Sequence, residues 1–106
     1  MSKELFHPDR DQIDLSAVLE ALSEPTRRTM VLDLWEQGES TCGGVGKYGS
    51  KTSTTYHLAK LREAGVTRTR IDGPYRYISL RTEDVETRFP GLLKSVIDAA
   101  AKERRG

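Results

Sequence analysis

One side of a helix is written into residues 11–22, where Ile13, Leu15, Val18, Leu19 and Leu22 share the apolar stripe of a 3.6-residue repeat. Ser23-Glu24-Pro25 then reads as a new helix start, with a capping serine and a proline in the first turn. The helix it opens carries Met30, Val31, Leu34 and Trp35 on one side and stops at Gly38. Residues 39–49 hold four glycines and little apolar periodicity, so a turn or a short irregular helix is predicted there. Order resumes with Ser50 as the cap of a helix over 50–64 that ends at Gly65. Leu58 and Leu61 are its inward positions, with Thr54 beside them, while Lys51, Thr52, Thr55, Tyr56 and Lys60 project elsewhere.

The period then changes from helical to alternating. "VTRTRI" and "YRYISL" are rich in β-branched and aromatic residues and flank Asp72-Gly73-Pro74, which predicts a hairpin over 66–80 with Gly73 taking a positive φ in the turn. Tyr75 and Tyr77 alternate with Arg76, and their rings are expected to pack on the helix behind the hairpin with the arginine outward. The last segment begins near Thr82 and, after Pro90-Gly91, gives an apolar stripe of Leu92, Leu93, Val96, Ile97 and Ala100. A terminal helix this apolar needs a partner, either its own domain or the first helix of a second chain.

At 106 residues the chain is long enough for one domain, spanning 1–106, with a modest core that an oligomer would help to complete. Residues 1–10 are expected to be flexible. No stretch approaches the ~20 apolar residues that cross a bilayer, and the first ten residues lack the apolar segment of a signal peptide. A single cysteine, Cys42, allows neither an internal disulfide nor a thiolate-rich zinc site. A cytoplasmic protein without membrane contact, metal or cofactor is therefore expected.

The net charge of +1 hides an uneven distribution: residues 1–46 carry −5, residues 47–81 carry +6 and residues 82–106 are neutral. An acidic flank beside a basic block suits a protein that meets a polyanion with one surface. The glycine run also spells Gly44-x-Gly46-x-x-Gly49, as a dinucleotide-binding loop does. A helix rather than a strand precedes it, no Gly-Lys-Ser/Thr triplet follows, and no acid, base and nucleophile cluster is apparent. An enzyme is not expected; the glycines serve to turn the backbone ahead of Ser50.

Two helices, an irregular turn, a polar basic helix and a hairpin bearing arginines form the order of a winged helix-turn-helix. "ALSEPTRRTMVLDL" (21–34), "STTYHLAKLREAGV" (53–66) and "RIDGPYRYISL" (70–80) resemble the ArsR-type winged-helix transcriptional regulators, in the right order and over most of residues 14–100. The resemblance implies a mostly α fold with a small β-hairpin. It further implies a homodimer, joined through helices 11–22 and 91–104, that represses transcription from a palindromic operator in double-stranded DNA and often responds to an effector. In that scheme 50–64 is the recognition helix and 66–80 the wing. Metal-sensing relatives carry paired thiolates before the recognition helix or an Asp, His and Glu set along the last one; Cys42 stands alone and no histidine follows His57.

The residues expected to contact DNA are Ser50, Lys51, Thr52, Ser53, Thr55, Tyr56 and Lys60 on the helix and Arg68, Arg70 and Arg76 on the wing. Hydroxyls at a helix start suit phosphate oxygens and base edges, and guanidinium groups suit phosphates or the minor groove. His57 is expected to be a packed structural histidine, and Arg27 and Arg28 to pair with Glu24 or Glu20. Two other readings use the same residues: a winged-helix module that holds another protein, and a redox switch at Cys42.

Overall fold

The computed structural model describes residues 5–41 and 48–106, which leaves Cys42 and most of the glycine run outside the described residues. The architecture is mostly helical with a small antiparallel sheet, as the sequence predicts. Its elements are α1 (Leu15–Ala21), α2 (Pro25–Gln37), β1 (Ser40–Thr41), α3 (Lys51–Glu63), β2 (Thr67–Asp72), β3 (Tyr75–Leu80), α4 (Thr82–Arg88) and α5 (Leu92–Arg105).

The first helix is shorter than its apolar stripe suggests. Residues 10–12 form a single 3-10 turn, Ile13 is buried in extended backbone, and α1 starts only after Asp14, whose carboxylate accepts the Ala17 N–H at 3.1 Å. Ser23 does not cap α2. Glu24 does, accepting the Thr26 N–H at 3.0 Å, while the Ser23 hydroxyl donates back to the Glu20 carbonyl. α2 lies centrally between α3, α5 and β3 and buries Met30, Val31, Leu32 and Leu34; Trp35, predicted on that apolar side, is left 45% exposed.

β1, two residues long, was hidden in a stretch without periodicity and pairs with β3 through Ser40 opposite Ile78 and Thr41 opposite Tyr77, giving the order β1-β3-β2. The wing itself is a two-residue hairpin with Asp72 opposite Tyr75. Gly73, at φ +60°, takes the first central position of its turn, and Pro74 brings the negative φ the second one needs. α5 buries Leu93, Ile97 and Ala100, at the i, i+4, i+7 spacing of one helix face, and packs on α2 and α4 of its own chain.

Residues 5–10, expected to be flexible, carry contacts to the wing and to α4. His7 Nε2 accepts the Thr69 N–H at 3.0 Å, Arg81 Nη1 donates to the Pro8 carbonyl at 2.7 Å, and Arg10 Nε donates to Asp84 at 2.7 Å. The Thr69 donor requires an unprotonated Nε2, so Nδ1 holds the proton and donates to the Leu5 carbonyl at 3.0 Å. Burial lowers the His7 pKa, and Arg68, Arg62 and Arg81 lower it further against the opposing pull of the Leu5 carbonyl. Because the unfolded chain then binds the proton more readily than the folded one, the stability His7 contributes is complete above pH ~6.5 and declines as pH falls toward the depressed folded value. Urea midpoints of the wild type and His7→Ala should therefore differ at pH 7.5 and draw closer as pH falls below ~6.5. Parallel curves would mean that His7 does not titrate with folding.

Candidate nucleic-acid interface

α3 begins where the backbone turns at Gly49, φ +103°, and the Ser50 hydroxyl oxygen accepts the Ser53 N–H at 3.1 Å. That bond uses an acceptor of Ser50 and leaves its O–H as a donor. Lys51, Thr52, Thr55 and Tyr56 are all exposed along the first two turns, with Tyr56 at 55%. They share one side because helical positions three and four apart are neighbours. The opposite side carries Leu61, fully buried, with Thr54 and Leu58 partly so.

Ser53 and Lys60 flank this face and are half-buried. The Lys60 ammonium lies 5.6 Å from the Tyr56 ring centroid, at the edge of a groove it shares with Glu20, Arg27 and Glu63. His57 is turned inward, with its Nδ1 3.1 Å from Arg27 Nη1 and 3.4 Å from Glu24 Oε2. Its placement is the structural one predicted. Arg27 is buried as well, but its other bonds go to the Ala21 and Glu20 carbonyls rather than to a carboxylate. Arg28 reaches the Leu22 carbonyl and Glu103 instead of Glu24 or Glu20.

The three wing arginines do not share a face. In the antiparallel register Arg68 lies opposite Ser79 and Arg70 opposite Tyr77, while Arg76 lies opposite Ile71. Arg76 therefore belongs to the side that continues into buried Thr69 and Ile78, and Arg68 and Arg70 to the other. Arg70 stacks 4.4 Å from the Tyr77 centroid and pairs with Glu39 at 3.1 Å. Arg68 approaches Asp84 at 3.8 Å. Arg76 is exposed and forms no ion pair among the described residues. Tyr75 and Tyr77, expected to pack behind the wing with Arg76 outward, lie instead on the face of Arg68 and Arg70, because alternation from Asp72 opposite Tyr75 puts Arg76 on the side of buried Ile78. Tyr75 is 58% exposed and meets Tyr77 at 6.4 Å between centroids.

Part of the basic block is thus structural. Arg81 is buried, donating to Asp84 at 2.9 Å and to Pro8, and the Arg62 side chain is half-buried. Three guanidinium groups, those of Arg10, Arg81 and Arg68, surround Asp84, and the Arg10 hydrogen bond above all holds its carboxyl below the usual carboxylate range.

No protein-family profile matches the chain. The uncharacterised HTH-type transcriptional regulator YceK of Bacillus subtilis is 39% identical over 89 residues, 81% of this chain and 88% of the relative. The transcriptional repressor SdpR of the same organism is 37% identical over 84 residues, 77% of this chain and 92% of the relative. Among solved structures, a possible transcriptional regulatory protein from Mycobacterium bovis superposes with a TM-score of 0.58 at 30% identity, over 79% of this chain and 90% of that one. The chain belongs to the HTH-type transcriptional regulators. An ArsR family transcriptional regulator of known structure shares the fold, with a TM-score of 0.58 at 24% identity over 94% of this chain and 93% of that one.

In this regulator the start of α3 is tied back to the body of the fold by residues that periodicity does not single out. The Tyr48 hydroxyl donates to Asp33 Oδ2 of α2 at 2.5 Å, and Arg104 Nη2 of α5 donates to the other carboxylate oxygen at 2.7 Å. Burial first, then the Asp33 carboxylate, raises the Tyr48 phenol pKa and keeps it protonated. Among the described residues no three or more His, Cys, Asp or Glu side chains converge as a metal site, and no helix is long and apolar enough to cross a membrane.

Proposed function

We propose that this DNA-binding regulator acts in the cytoplasm as a homodimeric repressor of a palindromic operator, with one α3 in each of two successive major grooves. The acid-free exposed face of Lys51, Thr52, Thr55 and Tyr56 on the first two turns of α3 carries the reading. Threonine and tyrosine hydroxyls on that face meet base-edge donors and acceptors. Lys51, Ser50 and Ser53 meet phosphate, and Lys60 meets phosphate further along. Arg76 supplies the wing contact, with Arg68 and Arg70 as lesser contributors because each already faces a carboxylate.

Support for the homodimer comes from α1, where Leu15 and Leu19 are 44% and 48% exposed, and from α5, where Leu92 and Val96 are only half-buried. Covering that surface with a second copy removes apolar area from water at roughly 25 cal/mol per Å². An unidentified small molecule acting on the dimer would release the operator. The regulator has no catalytic step and no cofactor in this reading.

The experiment is selection of bound duplexes from random DNA, followed by titration of the enriched sequence across salt. Affinity should fall at least tenfold between ~50 and ~200 mM salt as condensed counterions are released. A salt-independent interaction, or no enriched sequence, would remove the reading in favour of a protein-binding module. In the same titration Arg76→Ala should weaken binding more than Arg68→Ala, and equal losses would contradict the assigned wing orientation.

A further inference from the structure

Two residues separate the Tyr48 side chain from the first residue of α3, and one of them, Gly49, has no side chain to fix its own position. The Tyr48 phenol on Asp33 holds this junction from outside. The Asp33 side chain is only 9% exposed, so its charge depends on the partners it keeps, and Arg104 of α5 is one of them at 2.7 Å. Arg104 is held in turn by Glu36, one helical turn along α2, at 3.1 Å. The Tyr48 ring also borders a cavity of about 50 Å³ together with Thr54 and Leu58, the inward side of α3. One carboxylate on α2 thereby joins the last turn of α5 to the entry of α3.

We propose that Asp33, gripped by Arg104 and by the Tyr48 phenol, positions the start of α3 for sequence-specific DNA contact and links the placement of α5 to that of the DNA-reading face. The proposal rests on the DNA-reading role given to α3 above. Asp33, Tyr48 and Arg104 touch no DNA in this scheme; they act through Ser50 and Lys51. A charge-assisted hydrogen bond of this kind, once broken, changes an equilibrium by about tenfold or more. If α5 also lies in the dimer interface, pairing of two chains would reach the DNA-reading helix by this route.

The test compares the full-length wild type, Tyr48→Phe, Arg104→Gln and the double variant. Tyr48→Phe keeps the ring in place and deletes only the bond, so folding is retained, as urea unfolding will show. Hydrogen exchange of the Ser53 and Thr54 amides, both bonded to Ser50, is read without DNA. Both variants should speed it, while amides in the C-terminal half of α3 keep their protection. Affinity for the selected operator should fall about tenfold in each, affinity for a scrambled duplex should stay within about twofold, and the double variant should be no weaker than Tyr48→Phe alone. Unchanged exchange, equal losses on both duplexes, or additive losses in the double variant would overturn the proposal. A wild type that cannot tell operator from scrambled duplex would overturn the DNA-reading role itself, and the exchange data would show separately whether the link exists.

Discussion

Gly65→Ala is expected to lower stability by about 2–5 kcal/mol, a large share of the 5–15 kcal/mol of a typical domain, whereas Gly73→Ala should cost only about 1–2 kcal/mol. Gly65 follows α3 at φ +86°, and the chain ends the helix there in a Schellman arrangement, with the Val66 N–H on the Leu61 carbonyl and the Gly65 N–H on that of Arg62. A Cβ at Gly65 would lie 2.6 Å from Ile13 Cγ1 and 2.9 Å from its Cδ1, with Pro8 Cγ at 3.3 Å. Ile13 is 1% exposed and cannot swing aside without opening the core. Gly73 shares the positive φ but has nothing within 4 Å of a built Cβ, so it isolates the backbone strain from the collision. Urea unfolding of both variants checks this. Equal losses would show that Ile13 yields, and that close packing of the N-terminal segment does not set the angle at which α3 leads into the wing.

The same junction shows what is legible along the chain and what is not. α3 can be read from its cap, its apolar positions and its terminal glycine because all three signals are local, and the hairpin can be read because the period changes around a two-residue turn. The facing of Arg76 away from Arg68 and Arg70 is also implicit there. A two-residue turn fixes the register, and alternation then places Arg76 beside Ile71. Contacts that span the chain leave no such trace. His7 meets Thr69 across 62 residues and Arg104 meets Asp33 across 71, and neither pair has a period or spacing that announces it. Counting the basic block as one DNA surface therefore overstates it, since Arg81 sits at 4% side-chain exposure holding the N-terminal segment. β1 escapes because two residues are too few to alternate. Trp35 fails for the opposite reason, facing outward from a position of the right period, and Tyr75 fails because the alternation of β3 runs in the other phase, with Tyr75 on the face away from buried Thr69 and Ile78.

Lys51→Ala is expected to weaken operator binding by roughly 10- to 100-fold at moderate salt and to flatten the salt dependence by about two units of slope for a dimer, close to 0.9 for each phosphate no longer neutralised. Lys51 is the first residue of α3, exposed, and in no ion pair among the described residues. A cation at this end of a helix opposes the backbone dipole, so the folded chain loses nothing when it is removed, and urea midpoints should hold or rise slightly. Binding and folding are thus separated in one variant. Thr55→Ala supplies the contrast, because a hydroxyl that reads a base edge carries no charge: affinity for the operator falls while the salt slope keeps its wild-type value. Lost affinity with an unchanged slope in Lys51→Ala would move the lysine from the backbone to the bases, and unchanged affinity would take Lys51 out of the interface. In either case the register of α3 on the duplex would have to be rebuilt around Thr52, Thr55 and Tyr56, whose exposure does not depend on where the phosphates lie.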